Sequence, residues 1–235
     1  MAQAGLHALL GFQVARIISP KKYLLPAIII GALIPDLDLI IVAFASLIIP
    51  LDEAAYLYHR TFTHNFFIII LLYLTCAILA EIKSTPHYKV MGKGLSLGML
   101  SHLILDTLFW FSPIYLLWPL PVKPFNFWNF VQFPEFGYHI LMTMEFFFFQ
   151  IYAAFLIHTH LKFPDNKSQI ISQLNLWRRT ETALFFLFAA LLYLHISGFK
   201  ILFGAAYIPS LIFAIWATWQ SRHSLEQISQ NTITN

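Results

Sequence analysis

Long apolar runs alternate with short polar connections along the whole chain, and the lengths of those runs are those of membrane helices. Ala2 to Ser19 reads as a first helix, with Leu6, Leu9, Leu10, Val14 and Ile17 at mixed three- and four-residue spacing. Pro20-Lys21-Lys22 ends it. Tyr23 to Ile49 is a second apolar element, broken near Pro35, and Pro50-Leu51-Asp52-Glu53 opens a polar connection. Phe66 to Ile82, Gly94 to Phe111 and Phe136 to Leu161 follow. Thr182 to Phe203 and Ala205 to Trp219 complete the set. Ser112 to Pro134 is rich in Pro, Trp and Phe, and Trp110, Trp118 and Trp128 suit a segment at headgroup level.

Composition sharpens this picture. The 235 residues are 59% hydrophobic, with a mean hydropathy of +0.70 and only 11% charged residues, where a soluble domain carries about 25%. The fold expected is an all-α polytopic membrane bundle of six or seven spans. Residues 1–222 form one integral membrane domain and 223–235 a loose polar tail. Cys76, the single cysteine, excludes an internal disulfide and a thiolate metal cluster, and reads as a small apolar residue. The first residues lack a basic stretch and a small-residue cleavage site, so the N-terminus is expected to be that of the mature protein. Nothing points to nucleic acid, and the oligomeric state is open.

Charge placement sets an orientation. Lys and Arg gather in alternate connections: Arg16, Lys21 and Lys22; Lys83, Lys89 and Lys93; Lys162, Lys167, Arg178 and Arg179; then Arg222. Arg60, Lys123 and Lys200 fall in the others. If the first helix crosses, the rich loops are cytoplasmic by the positive-inside rule. The ionisable residues within or beside the spans then share the outward half.

Those residues carry the candidate chemistry. Asp36 and Asp38 sit in a run of Ile, Leu, Ala and Val, where a charge is costly and usually functional. On a regular helix they point about 200° apart, so a break at Pro35 is needed to bring both to one site. Helix packing or a proton relay are the other readings. His102 and Asp106 are four apart and share a helix face. That suits a metal ligand pair, or a polar pair joining helices. His59 and His64 lie about 140° apart on a straight helix and converge only if His59 is in the loop. Arg60 between them suits a phosphate or carboxylate, or a lipid headgroup. Glu145 among Phe146 to Phe149 needs a partner from another helix, a proton or a cation. His7 on the first helix is a further candidate ligand or a core histidine. His87, His139, His158, His160, His195 and His223 read as peripheral. Imidazole and carboxylate without thiolate suit Zn²⁺, Mn²⁺ or Fe²⁺, with zinc the default for hydrolysis.

Pro35-Asp36-Leu37-Asp38, His59-Arg60-Thr61-Phe62-Thr63-His64 and Ser101-His102 with Asp106, in this order, resemble the YdjM-like family. Its members are described as membrane-bound metal-dependent hydrolases of the bacterial inner membrane. His7 in a helix followed by Gly11 also fits. The resemblance covers the first half to two thirds of the chain and places the metal site mainly within residues 1–150. It implies metal binding by His7, Asp36, Asp38, His59, His64, His102 and Asp106. Glu145 lies outside its motifs.

The function expected is a membrane-embedded hydrolase with one or two divalent ions, zinc by default, acting on a phosphoester of a lipid or lipid-like substrate. Asp36, Asp38, Glu145 and Arg60 are the candidate catalytic residues. The Trp110 to Trp128 segment could shape the lipid entrance. A proton- or cation-coupled transporter is the alternative, and it should show internal repeats, of which the sequence has none. A structural membrane protein stapled by a closed metal site is a third reading.

Overall fold

A computed structural model describes residues 3–18, 21–109, 111–163 and 168–231. Trp110 and Lys167 lie outside the described residues. The described residues form α1 (Ala4–Arg16), α2 (Leu24–Leu33), a 3-10 turn (Ile34–Leu37), α3 (Asp38–Ala45), α4 (Leu51–Tyr58), α5 (Phe66–Ile82), α6 (His87–Phe109), α7 (Glu135–Lys162), α8 (Ser168–Tyr193), α9 (Phe199–Gln220) and α10 (Arg222–Asn231), with a non-helical segment at 111–134. Among the described residues the one strand-like pairing is a bridge between Ile114 and Phe125.

α2 is the central rod. Every residue of it except Ile30 is buried, because α1, α6, α9 and α10 pack around it. Its closest neighbour is α6, and small residues make that approach possible. A Cβ on Gly98 would collide with the Ile28 carbonyl oxygen, and one on Gly31 with the backbone at Leu95. Backbone therefore lies on backbone where α2 and α6 cross. The two helices enter the functional region at a fixed separation, Asp36 and Asp38 on one and His102 and Asp106 on the other. The second half of the chain packs through aromatic rings instead. Phe146 and Phe149 of α7 meet Phe188 of α8 and Phe203 and Tyr207 of α9.

The pattern of apolar runs overstates the number of crossings. Among the described residues three helices, not six or seven, are long and apolar enough to span: Leu24–Ala45, Glu135–Lys162 and Phe199–Gln220. α5 is apolar but has only 17 residues. α1 has 13 residues, a length of about 20 Å against the ~30 Å of a hydrocarbon core, so its crossing, on which the charge-based orientation leaned, is not supported by its length. α6 begins with His87, Lys89 and Lys93, and α8 carries Arg178, Arg179 and Glu181 inside the helix, which lowers their apolar character.

Helix boundaries in the last third also differ from the pattern. Residues 168–179, within the Lys162 to Arg179 stretch expected as a polar connection, are helical, and the break falls just before α9, at Gly198 with φ 82°, rather than near Gly204. Glycine adopts that left-handed geometry without a Cβ clash. The expected loose tail is helical through Asn231. Leu225 is buried, and Glu226 accepts a 2.7 Å hydrogen bond from the Tyr23 backbone N–H at the start of α2.

Two glycine substitutions separate close approach from helix propensity. Gly98→Leu should cost about 3 kcal/mol or more through overpacking. Gly204→Ala, with nothing within 4 Å of the new Cβ, should stabilise by about 0.5–1 kcal/mol. Denaturant unfolding in detergent micelles, followed by circular dichroism, measures both.

Candidate metal centre

Pro35 breaks the central rod where chemistry needs it broken. The 3-10 turn at Ile34–Leu37 changes the angular step between Asp36 and Asp38, and both carboxylates are fully buried. They face different partners.

Asp38 collects the loop that leads into α5. Its Oδ1 accepts from His59 Nδ1 at 2.8 Å and its Oδ2 from the Arg60 backbone N–H at 2.9 Å. The same Oδ2 lies 3.0 Å from the Thr63 hydroxyl and 3.1 Å from His64 Nδ1. Thr63 also donates to the Pro35 carbonyl at 2.7 Å. Arg60 holds φ 64°, a strained conformation for a non-glycine residue, worth about 1–3 kcal/mol where it occurs. That turn lets its N–H point at Asp38 while its guanidinium Nη2 pairs with Asp106 Oδ2 at 2.9 Å. Asn65 then caps α5, accepting from the Ile68 N–H. Burial pushes the His59 imidazole down to about 4, against the pull of the adjacent Asp38 carboxylate, so the ring is neutral at physiological pH.

Beyond this loop, His64 and His102 meet, with Asp36 and Asp106 each facing them. His64 directs Nδ1 at the Asp38 carboxylate, and His102 directs Nδ1 at the Ala32 carbonyl at 2.8 Å. Carboxylates and carbonyls only accept, so both Nδ1 atoms carry the proton and both Nε2 atoms are bare in the neutral rings. Those two Nε2 atoms face each other at 3.2 Å. Asp36 Oδ1 lies 3.9 Å from His64 Nε2 and 3.8 Å from His102 Nε2. Asp106 Oδ2 lies 3.7 Å from each. Asp36 Oδ1 has no hydrogen-bond partner. Four ligands at about 2.0–2.2 Å from a tetrahedral ion are spaced about 3.3–3.6 Å apart. Asp36, His64 and His102, with ligand atoms within 4.8 Å of one another, could therefore hold a divalent ion.

Charge gives the same answer. Asp36, Asp38 and Asp106 are buried with one guanidinium, Arg60. Carboxylates outnumber the guanidinium in this group, an imbalance that a bound cation relieves.

His7 flanks the centre. Its ring stacks on His102 at 3.8 Å, and its Nε2 lies 3.2 Å from Asp106 Oδ1. His7, His102 and Asp106 form a second group compatible with an ion, sharing His102 with the group of Asp36, His64 and His102. Glu145 accepts the Ala4 backbone N–H at 2.9 Å. It satisfies one of the free donors at the N-terminus of α1 and so holds the helix that carries His7. Glu145 belongs to neither ligand group.

The expected ligands thus divide by geometry. His64, His102, Asp36 and Asp106 meet; His7 stands beside them; Asp38 and His59 stand one step out, with Asp38 spent on orienting the loop. Tyr207, whose hydroxyl donates to Asp36 Oδ2 at 3.1 Å, and Thr63 escaped the sequence reading. Thr63 lay inside a recognised motif; Tyr207 had no local signal.

A cavity of about 200 Å³ reaches the centre on the His7 side, lined by Gln3, Leu6, His7, Leu105, Asp106, Phe109 and Leu141. The aromatic segment is elsewhere. Its Tyr115 N–H donates to the Arg60 carbonyl and its Leu116 carbonyl accepts from the Phe66 N–H, and among the described residues none of 111–134 lines this cavity.

A family model described as YdjM inner membrane protein matches residues 1–203. No curated protein and no solved structure matches the chain.

Removing the loop's anchor gives a direct check. Asp38→Ala leaves the Arg60 N–H, Thr63, His59 and His64 without their shared acceptor. A loss of about 3–5 kcal/mol is expected, together with new proteolytic cleavage between residues 59 and 65, read by limited proteolysis and mass spectrometry.

Proposed function

The chain belongs to the YdjM inner membrane protein family, and with the buried centre as the second premise we propose that it is a metal-dependent hydrolase of lipid phosphoesters. The observation that carries this reading is the pair of bare Nε2 atoms, His64 and His102, 3.2 Å apart between two carboxylates. With both nitrogens unprotonated, a cation held between them relieves the repulsion of their lone pairs.

Asp36, His64, His102 and Asp106 would hold the ion, with zinc the default for this donor set. When bound, such an ion supplies Lewis acidity and an activated water at neutral pH. The chain's own residues do the rest. Asp38 and the Ala32 carbonyl fix the two ring tautomers. Arg60, paired with Asp106, places positive charge beside the centre for a phosphoryl group. His7 lines the cavity and its Nδ1 has no hydrogen-bond partner, so it is the group positioned to accept a proton from water and return it to the leaving oxygen. Glu145 positions His7 through α1.

Lipid is favoured as substrate by the walls of the cavity. Leu6, Leu105, Phe109 and Leu141 line the approach to His7 and Asp106, and Phe109 is 66% exposed at the surface of α6. An aliphatic chain entering there brings an attached phosphoester to the polar end. Arg60, Lys123 and Lys200 fall toward the site's end of the helices and Arg16, Lys21, Lys22, Lys83, Lys89 and Lys93 toward the other, a distribution that by the positive-inside rule favours a centre in the extracytoplasmic half.

Metal analysis of protein purified in detergent should find a bound divalent ion. His102→Ala and Asp36→Ala should lose the ion and all hydrolysis of phospholipids and lipid phosphates while keeping their helical content. His7→Ala should keep the ion and lose turnover by about 10²–10⁴-fold. A metal-free wild type, or full turnover in the ligand variants, would overturn the reading.

A further inference from the structure

Tyr207 lies on α9, four residues beyond the last position matched by the family model, on a helix with no acidic residue and no histidine. It is fully buried. Its ring is held on two sides, by Phe203 at 5.2 Å and 20° and by Phe149 at 5.8 Å and 40°. A buried phenol needs a hydrogen-bond partner, and the one it has is Asp36 Oδ2 at 3.1 Å. The other oxygen, Oδ1, is the atom turned toward His64 and His102.

We propose that Tyr207 is a positioning residue of the metal centre: by engaging Oδ2 it limits Asp36 to one ligating oxygen and fixes the face that this oxygen presents. The inference rests on the metal centre proposed above. A carboxylate that can rotate about its Cβ–Cγ bond is able to offer both oxygens to an ion or neither. With Oδ2 hydrogen-bonded to a ring that cannot move, that choice is removed. Partners of this kind, one bond removed from the ion, typically change metal affinity by about 10–100-fold. The constraint comes from the aromatic half of the bundle, so α9 sets the coordination of an ion whose ligands all come from the first half.

The test is titration of the metal-stripped full chain in detergent with Co²⁺, followed by visible absorption and calorimetry. Three proteins are compared: wild type, Tyr207→Phe and Tyr152→Phe. Tyr152 is also a fully buried phenol, bonded at 2.6 Å to Thr218 and to no carboxylate. It reproduces the loss of one buried hydroxyl away from the centre. Tyr207→Phe should bind Co²⁺ about 10–100-fold more weakly, with the intense bands of a four-coordinate ion weakened toward those of a higher coordination number. Tyr152→Phe should match wild type in affinity and spectrum, whatever its stability. Wild-type binding with an unchanged affinity and spectrum in Tyr207→Phe overturns this inference alone. Equal perturbation by both variants also overturns it, since the effect is then one of general stability. A wild type that takes up no Co²⁺ overturns the metal centre and this inference together.

Discussion

Carboxylates removed from water without enough positive charge beside them are the constraint around which this bundle is built. Asp36, Asp38 and Asp106 are buried among apolar helices with Arg60 as the one guanidinium in the group. Each must be hydrogen-bonded, paired or bound to a cation, because an isolated buried carboxylate costs several kcal/mol even after the protein relaxes. Asp38 is satisfied by protein donors alone. Asp36 and Asp106 also have protein partners, Tyr207 for the one and His7 and Arg60 for the other, but each turns one oxygen toward the Nε2 nitrogens of His64 and His102. The difference between a scaffold acid and a ligand acid is therefore a difference in how many donors the backbone delivers.

Backbone irregularity does that delivering. The 3-10 turn after α2 separates Asp36 from Asp38 in role, and the left-handed Arg60 lets a single residue bond Asp38 through its amide and Asp106 through its side chain. Strain of this kind persists where surroundings over-determine it. Here the surroundings are Asp38 on one side and the Ile114–Phe125 segment on the other, whose Tyr115 N–H donates to the Arg60 carbonyl. Neither irregularity would hold without the rigid spacing of α2 against α6, which depends on Gly31 and Gly98.

The two halves of the chain contribute differently. α1 to α6 supply the ligands and the loop. α7 to α9 supply an aromatic mass that sends single polar groups back to them: Glu145 to the N-terminus of α1 and Tyr207 to Asp36. Those polar contacts add to an apolar core that both halves share.

Sequence alone was enough for the class of fold, the break at Pro35, the shared face of His102 and Asp106, and the loop position of His59. Each follows from local rules: hydropathy, proline geometry and the 3.6-residue turn. It overcounted the crossings, because an apolar run and a crossing differ in length and in the charges α6 and α8 carry within them. It could not separate Asp38 from Asp36, find Tyr207, or give Glu145 its partner on α1. Those assignments depend on which donors, 22 to 171 residues away in the chain, arrive at each oxygen. Local spacing determines what a residue is able to bind; only the packing of distant helices decides what it meets.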